Sequence, residues 1–147
     1  MKTYKGGLKL FQEMSNIFLA TLREDGTPDV RAISVVKSDG YRTIWMISGA
    51  HEKKARELTR DPRSMVYATT MDDDEAYAEA RLWGTTELLS DRETIDAVWN
   101  DIYLRYFPGG KDDPGLRIYK FSATSGTVSV MGAQGPEVLD IPQEALR

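Results

Sequence analysis

The stretch NIFLATLREDGTPDVRAISVVKSDGYRTIWMIS, residues Asn16 to Ser48, decides the fold. Three apolar, β-branched runs are separated by Asp25-Gly26 and Asp39-Gly40. Asp-Gly between such runs signals a hairpin, because glycine takes the positive φ that tight turns require. The pattern predicts an antiparallel meander of three strands, at about 17–23, 29–37 and 42–48.

Working outward, Leu8, Leu10, Phe11 and Met14 recur at helical spacing and predict a short amphipathic helix ahead of the meander. Behind it, a helix opening at Lys53-Lys54 runs to Asp61-Pro62, where the residue before proline is pushed out of helical geometry. SMVYATT reads as a fourth strand, and Asp72–Glu75 as a solvated turn. AYAEARLWGTTELLS reads as a fifth strand bent at Gly84. Ser90-Asp91-Arg92-Glu93 has the form of a capping box, with Ile95, Val98, Trp99, Ile102 and Tyr106 as the apolar face of one helix behind it. LRIYKFSA is a sixth strand, which TVSVM extends or pairs with, and the signals weaken from Gly132 onward. Short strands joined by tight turns predict a mainly β protein, a small antiparallel barrel with flanking helices. The 147 residues read as a single domain, 1–147, with its core at about 8–130.

Composition narrows the function. Hydrophobic residues make up 41% and charged residues 29%, an ordinary globular balance. There is no cysteine, which excludes disulfides and thiolate metal sites, and the single histidine, His51, excludes a histidine metal cluster. No metal site is expected. The net charge of −4 and the lack of a basic run argue against a nucleic-acid partner. No segment approaches the roughly 18 apolar residues of a membrane span, and MKTYKGGLKLFQEM has no signal-peptide core. A cytoplasmic protein is the expectation.

The lysines at 53 and 54 pose the chemical question. Helix starts carry partial positive charge, so two lysines there are unfavourable unless an anion sits beside them. One reading is a phosphate site, built from Ser48, the Gly49-Ala50 backbone and the two lysines. The other is a solvated basic face moderated by Glu52 and Glu57. Arg31 lies mid-strand on the face of Ile33 and Val35, with apolar residues on both sides, and so requires a fixed anionic partner. That partner is either an internal carboxylate or the same anion that Ser48, Lys53 and Lys54 contact. Trp45 and Trp83 are candidates for a flat ligand's pocket, while Trp99 at helical spacing reads as packing. No side-chain catalytic constellation is present, so a cofactor is the expected source of chemistry.

The order of FLATLREDGTPDVRAIS, YRTIWMISGAHEKKARELTRDPR, WGTTELLSDRE and YFPGGKDDPGLRIYKFS resembles the FMN-binding split-barrel superfamily, the pyridoxamine 5′-phosphate oxidase-like proteins, and within it the general stress protein branch. The resemblance covers roughly residues 8 to 125. Its most telling pieces are G-x-P-x-x-R at Gly26–Arg31, K-K-A-x-x-L-x-x-D-P at Lys53–Pro62, and YFPGG. It implies a six-stranded split barrel, a homodimer with two FMN sites between subunits, and hydride or electron transfer with a small-molecule substrate or acceptor. It implies that Arg31, Ser48, Lys53 and Lys54 meet the FMN phosphate. It places Ala32, Ile33 and Ser34 along the flavin ring, Ile47 beside Ser48 at the strand end, and Glu79 near a polar contact made by the second subunit. The region SATSGTVSVMG lacks the aromatic and arginine residues that bind substrate in pyridoxamine phosphate oxidase itself, which argues against that substrate. The alternatives are a flavin-binding or stress-sensing protein without turnover, and a barrel that uses deazaflavin or haem. No catalytic side chain is assigned.

Overall fold

The computed structural model describes residues 16–70, 78–130 and 137–138. The first-helix expectation and the Asp72–Glu75 turn lie outside these residues. The chain forms seven strands: β1 Asn16–Leu22, β2 Pro28–Asp39, β3 Thr43–Gly49, β4 Arg63–Thr70, β5 Ala78–Leu89, β6 Leu116–Val130 and β7 Glu137–Val138. Helix α1 spans Lys53–Arg60 and helix α2 spans Arg92–Val98. All pairings are antiparallel, in the order β3-β2-β1-β4-β5-β6-β7, and a β3–β6 pairing closes β1 to β6 into a six-stranded barrel. The split-barrel expectation therefore holds, with β7 added as a two-residue strand on β6.

The meander forms as the Asp-Gly pairs predict, with Gly26 at φ 85° and Gly40 at φ 55°. Alternation sets the inside of β1: Ile17, Leu19 and Thr21 are buried, whereas Phe18 is 39% exposed. Ile33, Ile44, Met46, Val66, Leu82, Phe121 and Val128 complete the barrel core, and α1 adds Ala55 and Leu58 to it. A second core lies outside β3 and β6, where Ile95 and Val98 of α2 pack with Phe107 on Ile47, Leu116 and Ile118. This outer core holds the segment 101–112 against the barrel.

β5 bends where expected. The register shifts between Trp83 and Gly84, which pair with Ser125 and Ala123. A Cβ on Gly84 would stand 2.0 Å from the Ser122 carbonyl oxygen, so only glycine fits. LRIYKFSA and TVSVM are parts of one 15-residue strand that pairs with β3 along one edge and β5 along the other.

Two expectations at the second helix are corrected. Its N-cap is Asp91, not Ser90: the Asp91 carboxylate accepts from the Thr94 amide at 3.0 Å and the Thr94 hydroxyl at 2.8 Å. Ser90 follows directly on the end of β5, and Asp91 is the first residue placed to cap. The helix also stops at Val98 instead of running to Tyr106. Trp99 is extended, and Asn100 re-caps the chain through its bond from the Ile102 amide, opening a 3₁₀ turn over Asp101–Arg105. Ile102 and Tyr106 consequently face outward, 58% and 70% exposed. Among the described residues no helix is long and apolar enough to cross a membrane.

Candidate functional site

A groove of about 1130 Å³ runs between the outer side of β2 and β3 and the segment after α2. Ala32, Ile33, Ser34 and Ile47 form its strand wall. Tyr103, Tyr106, Phe107 and Pro108 form the opposite wall, and Ser48, Gly49, Glu52 and Lys54 close one end. Three features build that end. β3 delivers Ser48 and Gly49 as its last residues, the turn at 50–52 reverses the chain, and α1 starts at Lys53.

Glu52 occupies the N-cap position of α1, but its side chain makes no capping bond. Its Oε2 instead accepts from Ser48 Oγ at 2.8 Å and forms an ion pair with Lys54 Nζ. A carboxylate oxygen thus sits where two donors from different elements converge. Gly49 lies beneath it: a Cβ there would come within 3.3 Å of Glu52 Cγ and Oε1. The end of the groove therefore holds the Glu52 carboxylate between a donor of β3 and a donor of α1.

Lys54 is the deepest cation of this end, with 12% of its side-chain surface exposed. Burial first, and the neighbouring Arg31 charge second, lower its pKa below the usual lysine value. Its ammonium also stands 5.9 Å from the centre of the Tyr119 ring. The Tyr119 hydroxyl donates to the Gly49 carbonyl at 2.7 Å, and burial pushes its pKa up to about 12, so it remains a neutral donor. An ammonium disfavoured by burial and by a like charge gains from any added anion.

Arg31 has an internal carboxylate partner. Its Nη2 lies 3.2 Å from Glu57 Oε1 and 3.3 Å from Asp29 Oδ2. Nη1 donates to the Leu19 carbonyl at 3.1 Å and to Thr21 Oγ1 at 2.7 Å, and Thr21 in turn donates to Glu57 Oε1 at 2.9 Å. Glu57 is 3% exposed, so it is not part of a solvated face. It falls on the same buried side of α1 as Ala55 and Leu58. Lys53 points to Asp29, with 3.6 Å between Nζ and Oδ2.

The structure therefore gathers Ala32, Ile33, Ser34, Ile47, Ser48 and Lys54 around one groove. Arg31 stands beside Lys54 but does not line the groove, and Lys53 turns away to Asp29. Glu79 lies on β5, opposite Thr69 and Ser129, where it accepts from the Tyr67 hydroxyl at 2.7 Å, and it is not part of the groove lining. Neither Trp45 nor Trp83 lines the groove. Trp45 packs on the outer core with Lys37 4.8 Å from its ring centre, and Trp83 is 39% exposed on the far face. His51 lines the groove from the turn before α1.

Sequence reasoning missed Glu57 as Arg31's partner, and Tyr119 and the aromatic wall at 103–108 as parts of the site. The signal for Glu57 was its position between Ala55 and Leu58 on the apolar side of α1. The aromatic wall carried no such signal, because it depends on the break at Trp99. Among the described residues no cluster of metal ligands occurs.

Residues 8–129 match the family model described as pyridoxamine 5′-phosphate oxidase. Comparison with curated protein sequences found no match. Among solved structures, a Clostridium acetobutylicum protein related to general stress protein 26 of B. subtilis, of the pyridoxinephosphate oxidase family, is 25% identical, with a TM-score of 0.82 and 95% of each chain covered. General stress protein 26 of Bacillus anthracis is 19% identical, with a TM-score of 0.74, covering 96% of this chain and 100% of that one. A haem-binding protein from Mycobacterium smegmatis is 17% identical, with a TM-score of 0.74, covering 93% of this chain and 57% of that one. The barrel, its order of motifs and these matches agree: the chain belongs to the pyridoxamine 5′-phosphate oxidase-like split-barrel family, in its general stress protein branch.

Proposed function

We propose that the groove binds FMN and that the protein is a homodimeric FMN-dependent oxidoreductase acting on a small molecule. The observation that carries this reading is the Glu52 carboxylate oxygen held by Ser48 and Lys54 at the groove end. It shows that these donors converge on one point suited to an oxyanion, the chemistry a phosphate brings. Ser48 and Lys54 would hold the phosphate, Arg31 would add positive charge from behind Lys54, and Ala32, Ile33 and Ser34 would lie along the ring. When bound, the flavin supplies hydride or electron transfer. The protein's own contribution is to bind, orient and exclude water, with the aromatic wall at 103–108 covering the ring's open side.

A second copy would fit the outer face of β1, β2 and β4, which continues from the groove wall at Ala32. Phe18, Val30, Met65 and Tyr67 surround an apolar hollow of about 330 Å³, and Trp83 is exposed on β5 next to β4. Val30 is 62% exposed, an unfavourable position for a valine left in water. Glu79 belongs to the same strand as Trp83, so dimerisation through this face carries it to the subunit boundary.

A haem reading is the second possibility. It draws on His51, the chain's single histidine, which lines the same groove. The visible spectrum separates the two. Purified protein titrated with FMN should give an altered flavin spectrum at one equivalent per chain, with a dimer mass by light scattering. A Soret band on adding haem, with no change on adding FMN, would replace the flavin reading. Turnover with reduced nicotinamide donors and candidate acceptors then separates an enzyme from a flavin carrier or sensor.

A further inference from the structure

We infer that Glu52 is a built-in competitor of the bound phosphate, which holds Ser48 and Lys54 in its place and lowers the site's affinity for a phosphorylated ligand. This rests on the phosphate reading above.

The Glu52 side chain is not committed to the helix end at which it stands. It is the N-cap residue of α1, yet its side chain leaves the helix end uncapped and turns back to Ser48 and Lys54. No other acidic residue occupies the first turn. Its side chain is 51% exposed, so it is free to swing into water, whereas the Lys54 side chain it holds is 12% exposed. The two carboxylates deeper in the cluster are committed elsewhere: Glu57 is buried against Arg31 and Thr21, and Asp29 faces Arg31 and Lys53. Of these three only Glu52 lines the groove; Asp113 also lines it, but its carboxylate is held by the Gly109 and Gly115 amides.

An entering phosphate meets donors that already hold an anion. To reach Ser48 Oγ and Lys54 Nζ it displaces the Glu52 carboxylate, and a carboxylate left nearby repels it. A phosphate dianion has the charge to win this exchange. A ligand with only a neutral hydroxyl at that end does not, so Glu52 stays and the donors remain engaged. The expected outcome is a site that releases a phosphorylated ligand more readily than one with a neutral residue at position 52, and whose affinity for an unphosphorylated flavin does not depend on that residue.

The test is a fluorescence titration of the parent protein, Glu52→Gln and Lys54→Ala with FMN and with riboflavin. Glu52→Gln should bind FMN about five- to tenfold more tightly, the scale of one charged contact released at a partly exposed site, while riboflavin affinity stays within about twofold. Inorganic phosphate should compete with FMN at lower concentration in the variant. Equal FMN affinity of parent and Glu52→Gln, with Lys54→Ala still weakened, overturns the competitor role and leaves the phosphate site standing. FMN and riboflavin binding alike in the parent, untouched by Lys54→Ala, overturns both readings together.

Discussion

Arg31 and Glu57 are joined across the barrel end, Nη2 to Oε1 at 3.2 Å, by an ion pair whose acidic member is 3% exposed. The pair ties β2 to α1, and Thr21 ties both to β1. It fixes the helix that presents Lys54, so the proposed anion site depends on a contact made outside the groove lining.

Removing Glu57 should therefore cost stability before anything else. Glu57→Ala leaves the Arg31 guanidinium without its buried partner. We expect a loss of about 2–3 kcal/mol, below the fully buried range because Arg31 keeps some contact with water. Urea unfolding of parent, Glu57→Ala and Glu57→Gln checks this. Midpoints that coincide would show that the pair contributes nothing to the fold.

Lys54 and Arg31 should separate by phenotype. Lys54→Ala removes a charged contact at the groove and should weaken FMN by about 1.5–3 kcal/mol with little change in melting temperature. Arg31→Ala should weaken FMN and lower the melting temperature together, because it also strands Glu57. Calorimetric titration beside thermal melts reads both quantities. A stable Arg31→Ala with full FMN affinity would contradict the arrangement.

Gly84 should tolerate no side chain. A Cβ would meet the Ser122 oxygen at 2.0 Å and the Ala123 Cα at 2.9 Å, all backbone that cannot step aside. Gly84→Ala should cost about 3 kcal/mol, the upper end for overpacking. Thermal unfolding gives the answer, and an unchanged midpoint would mean that the bulge relaxes freely.

The Asp91 cap predicts a pH dependence of definite sign. The Thr94 hydroxyl first, then the Thr94 amide, hold the Asp91 carboxyl below its ordinary value of 3.8. A depressed folded-state value means stability present above about pH 4 and lost as pH falls through the lower folded value. Asp91→Asn should thus be less stable than the parent at pH 7, with the gap closing in acid. Ser90→Ala should match the parent at both ends. A Ser90→Ala loss as large as that of Asp91→Asn would restore Ser90 as the cap.

Much of this fold was legible because its signals are local. Asp25-Gly26, Asp39-Gly40 and Asp61-Pro62 each act through the backbone of adjacent residues, and each fell where expected. The second helix was not legible to its end, because Ile95, Val98, Trp99, Ile102 and Tyr106 keep helical spacing across a break that Asn100 makes with its own side chain. Spacing describes a face only while the helix lasts. Ser48 and Lys54 at the groove end followed from sequence order along two neighbouring elements, whereas the strand wall was expected only through the family resemblance. The partners did not: Glu57 meets Arg31 across 26 residues and Tyr119 meets Gly49 across 70, distances over which no periodicity speaks.

The same long β6 that shuts the barrel also sets its timetable. Until Leu116–Val130 leaves the ribosome, β3 and β5 each expose an unpaired edge of backbone donors and acceptors. The chain before Leu116 can form its hairpins but can only wait as an open sheet, the kind of intermediate that associates edge to edge. A nascent chain stalled before Leu116 thus carries both edges open, and the arrival of one strand ends that exposure on both sides at once.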